Sequence, residues 1–483
     1  MNEDQNKDIF TIGIGGAAGD GVKKIGINIG KFLCEIGFEI YLSIDYPSLI
    51  RGGHNFVRLS FSRNKIWNDY ERLDILVCLN EETKEIHKDE IKEGAWVLEG
   101  LKTEEILEKI KEFLSVKGFN ENEQNSKLSL IDGNTAFAKG LEAAGLDFYI
   151  GYPMTPSTSI LHYLASKQTK DGLKVIQPEN EIAVINMALG ISYAGKRVAV
   201  GSATGGFALM QEAFSFAGQA ELPLVVAVSQ RQAPATGVPT RSSQSDLRFA
   251  IHSGHGEFPR IVMAPGDPEE AFEIGAGALN LTWNFKVPVI VLLDKILSEH
   301  LMAVNIEKLK DGNIERLENG NLKFPGTPEQ VVKVTSYEHD ENGITVDKAE
   351  DVKRMVEKRF IKATHIAEEM KNRETIKVYG NTDSSDTLVF FGSTKSPILE
   401  AAKHFNKSIK LVQIVWLEPF DAEKVERELE GKRVICVEGN YGGQLASLIS
   451  EKTGIKIRDK ILKYDSMPFD PIELAREINQ KFS

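Results

Sequence analysis

The chain has 483 residues, 42% apolar, 27% charged and 8% aromatic, the proportions of a folded globular protein with length for about three domains. Its formal net charge of −12 offers no field to hold nucleic acid or an anionic membrane surface. Three isolated cysteines, Cys34, Cys78 and Cys436, exclude a disulfide framework, a CxxC pair and a cysteine-built zinc or iron–sulfur site. The opening MNEDQNKDIF is acidic where a secretory signal is basic, and no apolar run reaches the roughly 18 residues of a membrane span, so a cytoplasmic location is expected.

Three blocks of alternating strand-like and helix-like pattern predict α/β domains on parallel sheets. The first, residues 1–116, holds a strand in FTIGIGG, a helix in VKKIGINIGKFLCEIG, a strand in FEIYLSID and later apolar runs LDILVCLN and AWVLEG. Residues 117–129, KGFNENEQNSKLS, read as a polar linker. The second block, 130–304, carries a helix in TAFAKGLEAAG, a strand in FYIGYP and a helix in EIAVINMALGISYAG. It continues with strands in RVAVGSATGG and LPLVVAVSQ and closes on VPVIVLLD. Residues 305–386 read as a charged connector with one helix from Ala349 to Asn372, and 387–483 as a compact βαβαβα unit.

Between the first strand and helix, Ile12 to Gly21 reads IGIGGAAGDG. Backbone amides at a helix N-terminus in this context bind an anion such as a pyrophosphate. Gly13, Gly15 and Ala18 fit the looser GxGxxA form, and Asp45 ends the next strand where a ribose-binding acid would stand, which gives a dinucleotide-dependent dehydrogenase as one reading. The other is that the glycines merely let a strand turn tightly into a packed helix. Gly19, Asp20 and Gly21 also spell the start of the diphosphate-and-magnesium motif of thiamine diphosphate enzymes. The Asn that should complete the magnesium shell is missing from LSIDYPSLI, and the next one after Asn28 is Asn55, so that anchor is rejected here.

Tyr46 to Ser62, YPSLIRGGHNFVRLSFS, places Arg51, Gly52, Gly53 and His54 in a polar loop ahead of an alternating strand, a setting that usually serves contact. The pattern GxGGxxGxGV followed by DYPSxIRGGHNxVRxS resembles the γ domain of 2-oxoacid:ferredoxin oxidoreductases. There it is an assembly element with no established dinucleotide, so the resemblance weighs against the dehydrogenase. This block is shorter than the family's γ domain, which puts its usual subunit contacts in doubt.

In the second block GNTAFAKGLEAAGLDFYIGYPMTPSTSI, QPENEIAVINMALGISYAG, GSATGGFALM and QRQAPATGVPT follow in the order of the same family's α domain and resemble it. SYEHDENGIT in the connector, and GSTKSPILEA through ILKYDSMPFDP in the third block, extend the match over essentially the whole chain. The resemblance implies a central thiamine-diphosphate-binding domain of the pyrimidine type and a transketolase-C-terminal-like last domain used for packing, in which Glu438 and Asn440 merely end a strand.

Several residues gain a role from that match. Pro153 and Pro156 fix a loop leaving a strand and present Thr155 and Ser157, although the sequence by itself favours a plain turn with Ser157 or Thr158 capping the next helix. The resemblance puts Thr155 beside thiamine and substrate, with Tyr152 and Pro153 in the cofactor wall. Glu179 and Glu181 open an apolar helix, where the helix dipole alone would favour them. By resemblance Glu181 is the carboxylate that hydrogen-bonds the aminopyrimidine ring, and Glu179 a cap or solvated neighbour. Arg231 follows a buried strand directly, so it stands where α/β sheets bind ligands and where a guanidinium can grip a carboxylate. Arg231 and Thr240 match positions that contact the 2-oxoacid, and SATGG, through Ser202 and Gly205, lines the same pocket. His252 and His255 lack a third nearby ligand and read as loop residues, so no metal ligand is placed on this chain.

The resemblance therefore implies a fused γ–α subunit of a 2-oxoacid:ferredoxin oxidoreductase. The implied reaction is coenzyme A-dependent oxidative decarboxylation of a 2-oxoacid, with 2-oxoglutarate favoured, and transfer of electrons to ferredoxin. Thiamine diphosphate would be shared with a separate β subunit that carries Mg2+ and at least one [4Fe–4S] cluster, in an (αβ)2-type assembly. A catalytically degenerate scaffold subunit remains the non-enzymatic alternative.

Overall fold

The computed structural model describes residues 8–47, 53–119, 126–170, 172–310, 323–328 and 331–483. Arg51 and Gly52, residues 120–125 of the linker, and 311–322 and 329–330 of the connector lie outside the described residues. In chain order, the first sheet takes β1 (Phe10–Ala17), β2 (Glu39–Asp45), β3 (His54–Ser62), β4 (Leu73–Cys78), β5 (Ile91–Glu99) and β6 (Leu128–Asp132). The central sheet takes β7 (Phe148–Gly151), β8 (Lys174–Ile176), β9 (Val198–Ala203), β10 (Leu224–Gln230), β11 (Ile261–Met263) and β12 (Pro288–Asp294). After them β13 (Leu301–Asn305) returns to the first sheet. The third sheet is built from β14 (Ile376–Gly380), β15 (Asp386–Phe391) and β16 (Lys410–Ile414), then β18 (Arg433–Glu438) and β19 (Asp459–Leu462), while β17 (Trp416–Glu418) extends the central sheet.

The three-sheet α/β architecture is as the sequence predicts, with differences in strand direction and membership. The first sheet, ordered β5-β4-β1-β3-β2-β13-β6, is mixed rather than parallel: β1, β4 and β5 run together, and β3 pairs antiparallel with both β1 and β2. The segment joining β2 to β3 is too short for a crossover helix, so those strands return antiparallel. At the other end β13 pairs antiparallel with both β2 and β6. Leu128 and Ser129, placed in the linker by their polar surroundings, thus belong to a strand, and the central domain is inserted between two neighbouring strands of the first sheet. The connector holds the predicted helix as Ala349–Lys371, but β14 inside it is already the edge of the third sheet, paired antiparallel with β16.

Gly13 and Gly15 lie within β1, not in a phosphate loop. A side chain at Gly13 would come within 2.7 Å of the Phe56 ring, and one at Gly15 within 2.8 Å of His54. Their bareness serves close packing across the sheet. Asp45, the candidate ribose acid, is ion-paired to Arg241 at 3.0 Å. Asp20 Oδ2 accepts from the Ala17 amide at 2.7 Å, closing its own turn. The dinucleotide reading therefore loses both its glycines and its acid. Of the expected contact loop, Arg51 and Gly52 lie outside the described residues and Gly53 is exposed, while from His54 on the side chains bond inward: the Nε2 atoms of His54 and His87 are 2.9 Å apart, His87 Nδ1 is 2.8 Å from Glu90, and Arg58 donates to Glu90 at 2.6 Å.

The central sheet, β17-β11-β12-β10-β9-β7-β8, is parallel apart from the antiparallel β17 edge, with β9, β10 and β12 buried along their length, as strands covered on both faces must be. In register, Gly151 stands opposite Gly201, Ser229 opposite Ala203 and Gln230 opposite Asp294. The loops leaving β7, β9, β10 and β12 therefore share one edge, the carboxyl edge where such sheets bind ligands.

Ion pairs tie the outer parts to this centre. Buried Lys395 bonds Asp267 and Glu270, and Gln413 donates to Glu270 at 2.7 Å, locking the third unit to the start of helix Pro268–Phe285. Glu221 receives Lys358 and Lys362 of helix Ala349–Lys371 at 2.5 and 2.6 Å. Despite burial, the two ammonium groups hold its carboxyl down at about 2. A carboxyl lowered by folding stabilises above its ordinary value and loses that contribution as pH falls from about 4.5 toward 2. Glu221→Gln is expected to cost about 1–3 kcal/mol at pH 7 and to flatten the loss of stability between pH 5 and 3. Urea midpoints across that range check it; parallel pH curves for the two proteins would refute it.

Candidate active site

Glu181 is the first residue of helix Glu181–Tyr193, and the Asn180 side chain caps that helix by accepting from the Ala183 amide at 2.9 Å. Glu179 is exposed and takes no part in the cap. The helix is apolar on all sides, a pattern that ordinarily means burial on all sides. Here Val184, Ile185, Ala188 and Leu189 enter the core, while Ile182 and Met187 stay exposed. Glu181 itself is only 3% exposed, at the positive end of the helix dipole. Ser202, at the end of β9, donates to Glu181 Oε1 at 3.4 Å. A side chain at Gly206 would meet Glu181 Oε1 at 2.5 Å, so only glycine lets the carboxylate lie against that backbone. SATGG is thus a strand running into the short helix Thr204–Leu209, not into a loop. Thr204 Oγ1 donates to the half-buried carboxyl of Asp246 at 2.8 Å, and desolvation raises that carboxyl.

The YPMTPS turn leaves β7 beside this group. Ser202 Oγ lies 3.7 Å from the Met154 sulfur, and Ser157 Oγ donates to the Met154 carbonyl at 2.8 Å, so the Ser157 hydroxyl is spent inside the turn. Arg231 Nη1 donates to the Thr155 carbonyl at 2.8 Å, and Asn134 Nδ2 donates to the Pro156 carbonyl at 2.8 Å. Two consecutive carbonyls are thereby held by side chains from two other segments, and the Thr155 side chain is half-buried on the turn. Tyr152, Pro153 and Gly205 are exposed around it.

Arg231 is buried with one bond to a neutral carbonyl, and no carboxylate among the described residues pairs with it. Burial lowers its pKa, the signature of a cation short of a counter-charge. Thr240 lies farther along the same loop; the Gln232 amide donates to the Arg241 carbonyl at 3.0 Å, bringing the two ends of the loop alongside. Its Oγ1 is buried with no hydrogen-bond partner among the described residues, and the residue lines a cavity of about 940 Å³ between Ser43–Asp45 of the first unit and Ser466–Arg476 of the third. Glu181, Ser202, Met154, Thr155 and Arg231 therefore form one cluster, to which Thr240 is joined through the loop that begins at Arg231. Asn134, Gly206 and Asp246 belong to the cluster as well. Asn134 at the start of a predicted helix carried no sequence signal beyond a small polar residue after glycine, whereas Gly206 sat in a motif already singled out.

Comparison with known proteins gives this arrangement a family. Residues 139–358 match the family model described as "Pyruvate flavodoxin/ferredoxin oxidoreductase, thiamine diP-bdg", and residues 11–127 the one described as "Pyruvate ferredoxin/flavodoxin oxidoreductase". The 2-oxoglutarate synthase subunit KorA of Methanothermobacter marburgensis is 31% identical over 374 residues, 72% of this chain and 97% of that one. The chain belongs to the 2-oxoacid:ferredoxin oxidoreductase family. Within it, the alpha subunit from Saccharolobus solfataricus is 37% identical over 70% of this chain and 59% of its own length. The alpha subunit from Sulfolobus sp. is 28% identical over 96% of this chain and 95% of that one. The fold is that of a solved 2-oxoglutarate:ferredoxin oxidoreductase chain from Magnetococcus marinus, with a TM-score of 0.87 at 24% identity over 99% of this chain and 100% of that chain. The cluster around Glu181 lies wholly inside the segment matched by the thiamine diphosphate-binding model, apart from Asn134 just ahead of it.

Proposed function

We propose that the chain is the alpha subunit, carrying a fused γ-like unit, of an enzyme that converts a 2-oxoacid and coenzyme A to an acyl-CoA, carbon dioxide and two electrons for ferredoxin. A dicarboxylic 2-oxoacid such as 2-oxoglutarate is favoured, in line with the names of the M. marburgensis and M. marinus relatives. The observation that carries this reading is the buried Glu181 carboxylate on the carboxyl edge of a parallel sheet, with bare Gly206 against it and exposed Ile182, Met187 and Leu209 around it.

That setting fits the aminopyrimidine half of thiamine diphosphate. When bound, the cofactor supplies the nucleophilic carbon and the electron sink that 2-oxoacid decarboxylation needs. Glu181 holds a proton at the aminopyrimidine edge, with Ser202 restraining the carboxylate and Tyr152 and Pro153 forming the outer wall. Arg231 neutralises the substrate carboxylate, while Thr155 and Thr240 orient its keto group.

The diphosphate, Mg2+ and [4Fe–4S] cluster belong to a β subunit in this reading. Asp20, the acid of the GDG sequence, is used by its own turn, and burial pushes the Cys34 and Cys78 thiols up to about 12 and about 11 and raises that of Cys436 as well. The exposed apolar side of helix Glu181–Tyr193 is the surface such a partner would cover. The purified chain alone is expected to reduce no viologen with any 2-oxoacid and coenzyme A, and the chain co-expressed with its β subunit to do so. Turnover by the chain alone would overturn the shared site.

A further inference from the structure

The segment from Arg231 to Asp246 carries both residues assigned to the 2-oxoacid, yet it leaves the sheet as an exposed turn. Pro234 to Val238 are exposed, and Gly237 has a positive φ at a place where a side chain would run into the Gln232 backbone. Backbone bonds close the turn on itself, from the Gln232 amide to the Arg241 carbonyl at 3.0 Å and from the Val238 amide to the Gln232 carbonyl at 3.1 Å. The far end of the segment is held inside the central domain, where the Asp246 amide donates to Gln230 Oε1 at 3.0 Å, and it is gripped from outside that domain as well.

The third unit supplies that outer grip. The carboxyl edge of a parallel α/β sheet normally receives a ligand; in the third sheet that edge receives Gln244, which is 2% exposed. Its amide oxygen accepts from the Gly439 amide at 2.9 Å, just after β18, and its Nε2 donates to the Phe391 carbonyl at 3.1 Å, at the end of β15. Nε2 also lies 3.3 Å from Asp294 Oδ2, at the end of β12 in the central sheet. The Gln244 main chain adds two more bonds: its amide donates to the Gly439 carbonyl at 2.8 Å, and its carbonyl accepts from Asn440 Nδ2 at 3.2 Å. Gly392, with φ +58°, and Gly439 leave room for it, since side chains there would come within 2.9 and 3.2 Å of Gln244. Farther out, the Ser242 amide donates to the Ser466 carbonyl and Arg241 pairs with Asp45.

We propose that Gln244 is the positioning residue through which the third unit sets the substrate segment, so that the last domain tunes affinity for the 2-oxoacid without touching it. This rests on the reading that Arg231 and Thr240 hold the substrate. One side chain satisfies groups at the ends of three strands from two sheets, and it lies four residues from Thr240. A shift of the third unit is therefore transmitted to the substrate pocket through bonds to its backbone.

The test uses the complex with the β subunit. Gln244→Ala is expected to raise KM for the 2-oxoacid about tenfold or more while kcat falls less than about threefold. Hydrogen exchange of residues 232–243 should quicken about tenfold, with the protection of β18 retained. Gln244→Glu, which keeps the size, retains the bond from Gly439 but loses the donor to Phe391 and faces Asp294, whose carboxyl burial already raises. Its KM defect should shrink between pH 8 and 6 as the new carboxyl takes up a proton. Unchanged KM and unchanged exchange in both variants would overturn the proposal, as would a pH-independent fall in kcat with KM unaltered. Arg231→Ala separates the two readings: an unaltered KM there removes the substrate assignment, whereas a raised KM there with silent Gln244 variants removes only the positioning role.

Discussion

Replacing Glu181 with Gln lowers kcat of the αβ complex by about 10²- to 10⁴-fold, the range for loss of a proton-transfer group. The amide fits the same space at the helix start and can still accept from Ser202, so helix, cap and core stay intact. What disappears is the ability to exchange a proton with the aminopyrimidine ring. Steady-state viologen reduction measures the loss, and an unchanged thermal midpoint with retained β-subunit binding separates it from unfolding. A variant that keeps more than about a tenth of kcat would remove Glu181 from the chemistry.

Arg231→Ala is the second large effect, expected as a fall of about 30- to 150-fold in kcat/KM, carried mainly by KM. This corresponds to about 2–3 kcal/mol for a charge-assisted hydrogen bond to a carboxylate. The substitution also frees the Thr155 carbonyl, so kcat should drop modestly as the YPMTPS turn loosens. Arg231→Lys should fall between the two proteins, because one ammonium cannot hold both a backbone carbonyl and a carboxylate with the planar fork of a guanidinium. KM values with a 2-oxoacid series decide the matter; identical values for all three proteins would take the substrate carboxylate elsewhere.

Much of the central domain was legible because its strands obey simple rules. LPLVVAVSQ and VPVIVLLD are continuous apolar runs that can only be strands buried on both faces, and Arg231 directly after one of them had to sit on the ligand edge. Glu181 stood out as an acid opening an otherwise apolar helix. The first sheet was harder. Its alternation reveals strands but not their direction, and LSLID and LMAVN are far apart in sequence although β6 and β13 lie side by side. The glycine loop misled for a related reason: spacing alone does not say whether a glycine bends backbone or merely leaves room for Phe56 and His54. Asn134 and Gln244 were invisible because their importance lies in hydrogen bonds across long sequence separations, which composition and periodicity do not encode.

The β6–β13 pairing also bears on how the molecule must be made. Both strands flank the inserted domain in sequence, so the first sheet cannot complete its far edge until the ribosome has delivered residue 305. Until then β2 presents an unpaired edge, open to other chains. The nascent N-terminal part is thus the stretch most exposed to misassembly during synthesis, and completion of the catalytic domain is what closes it.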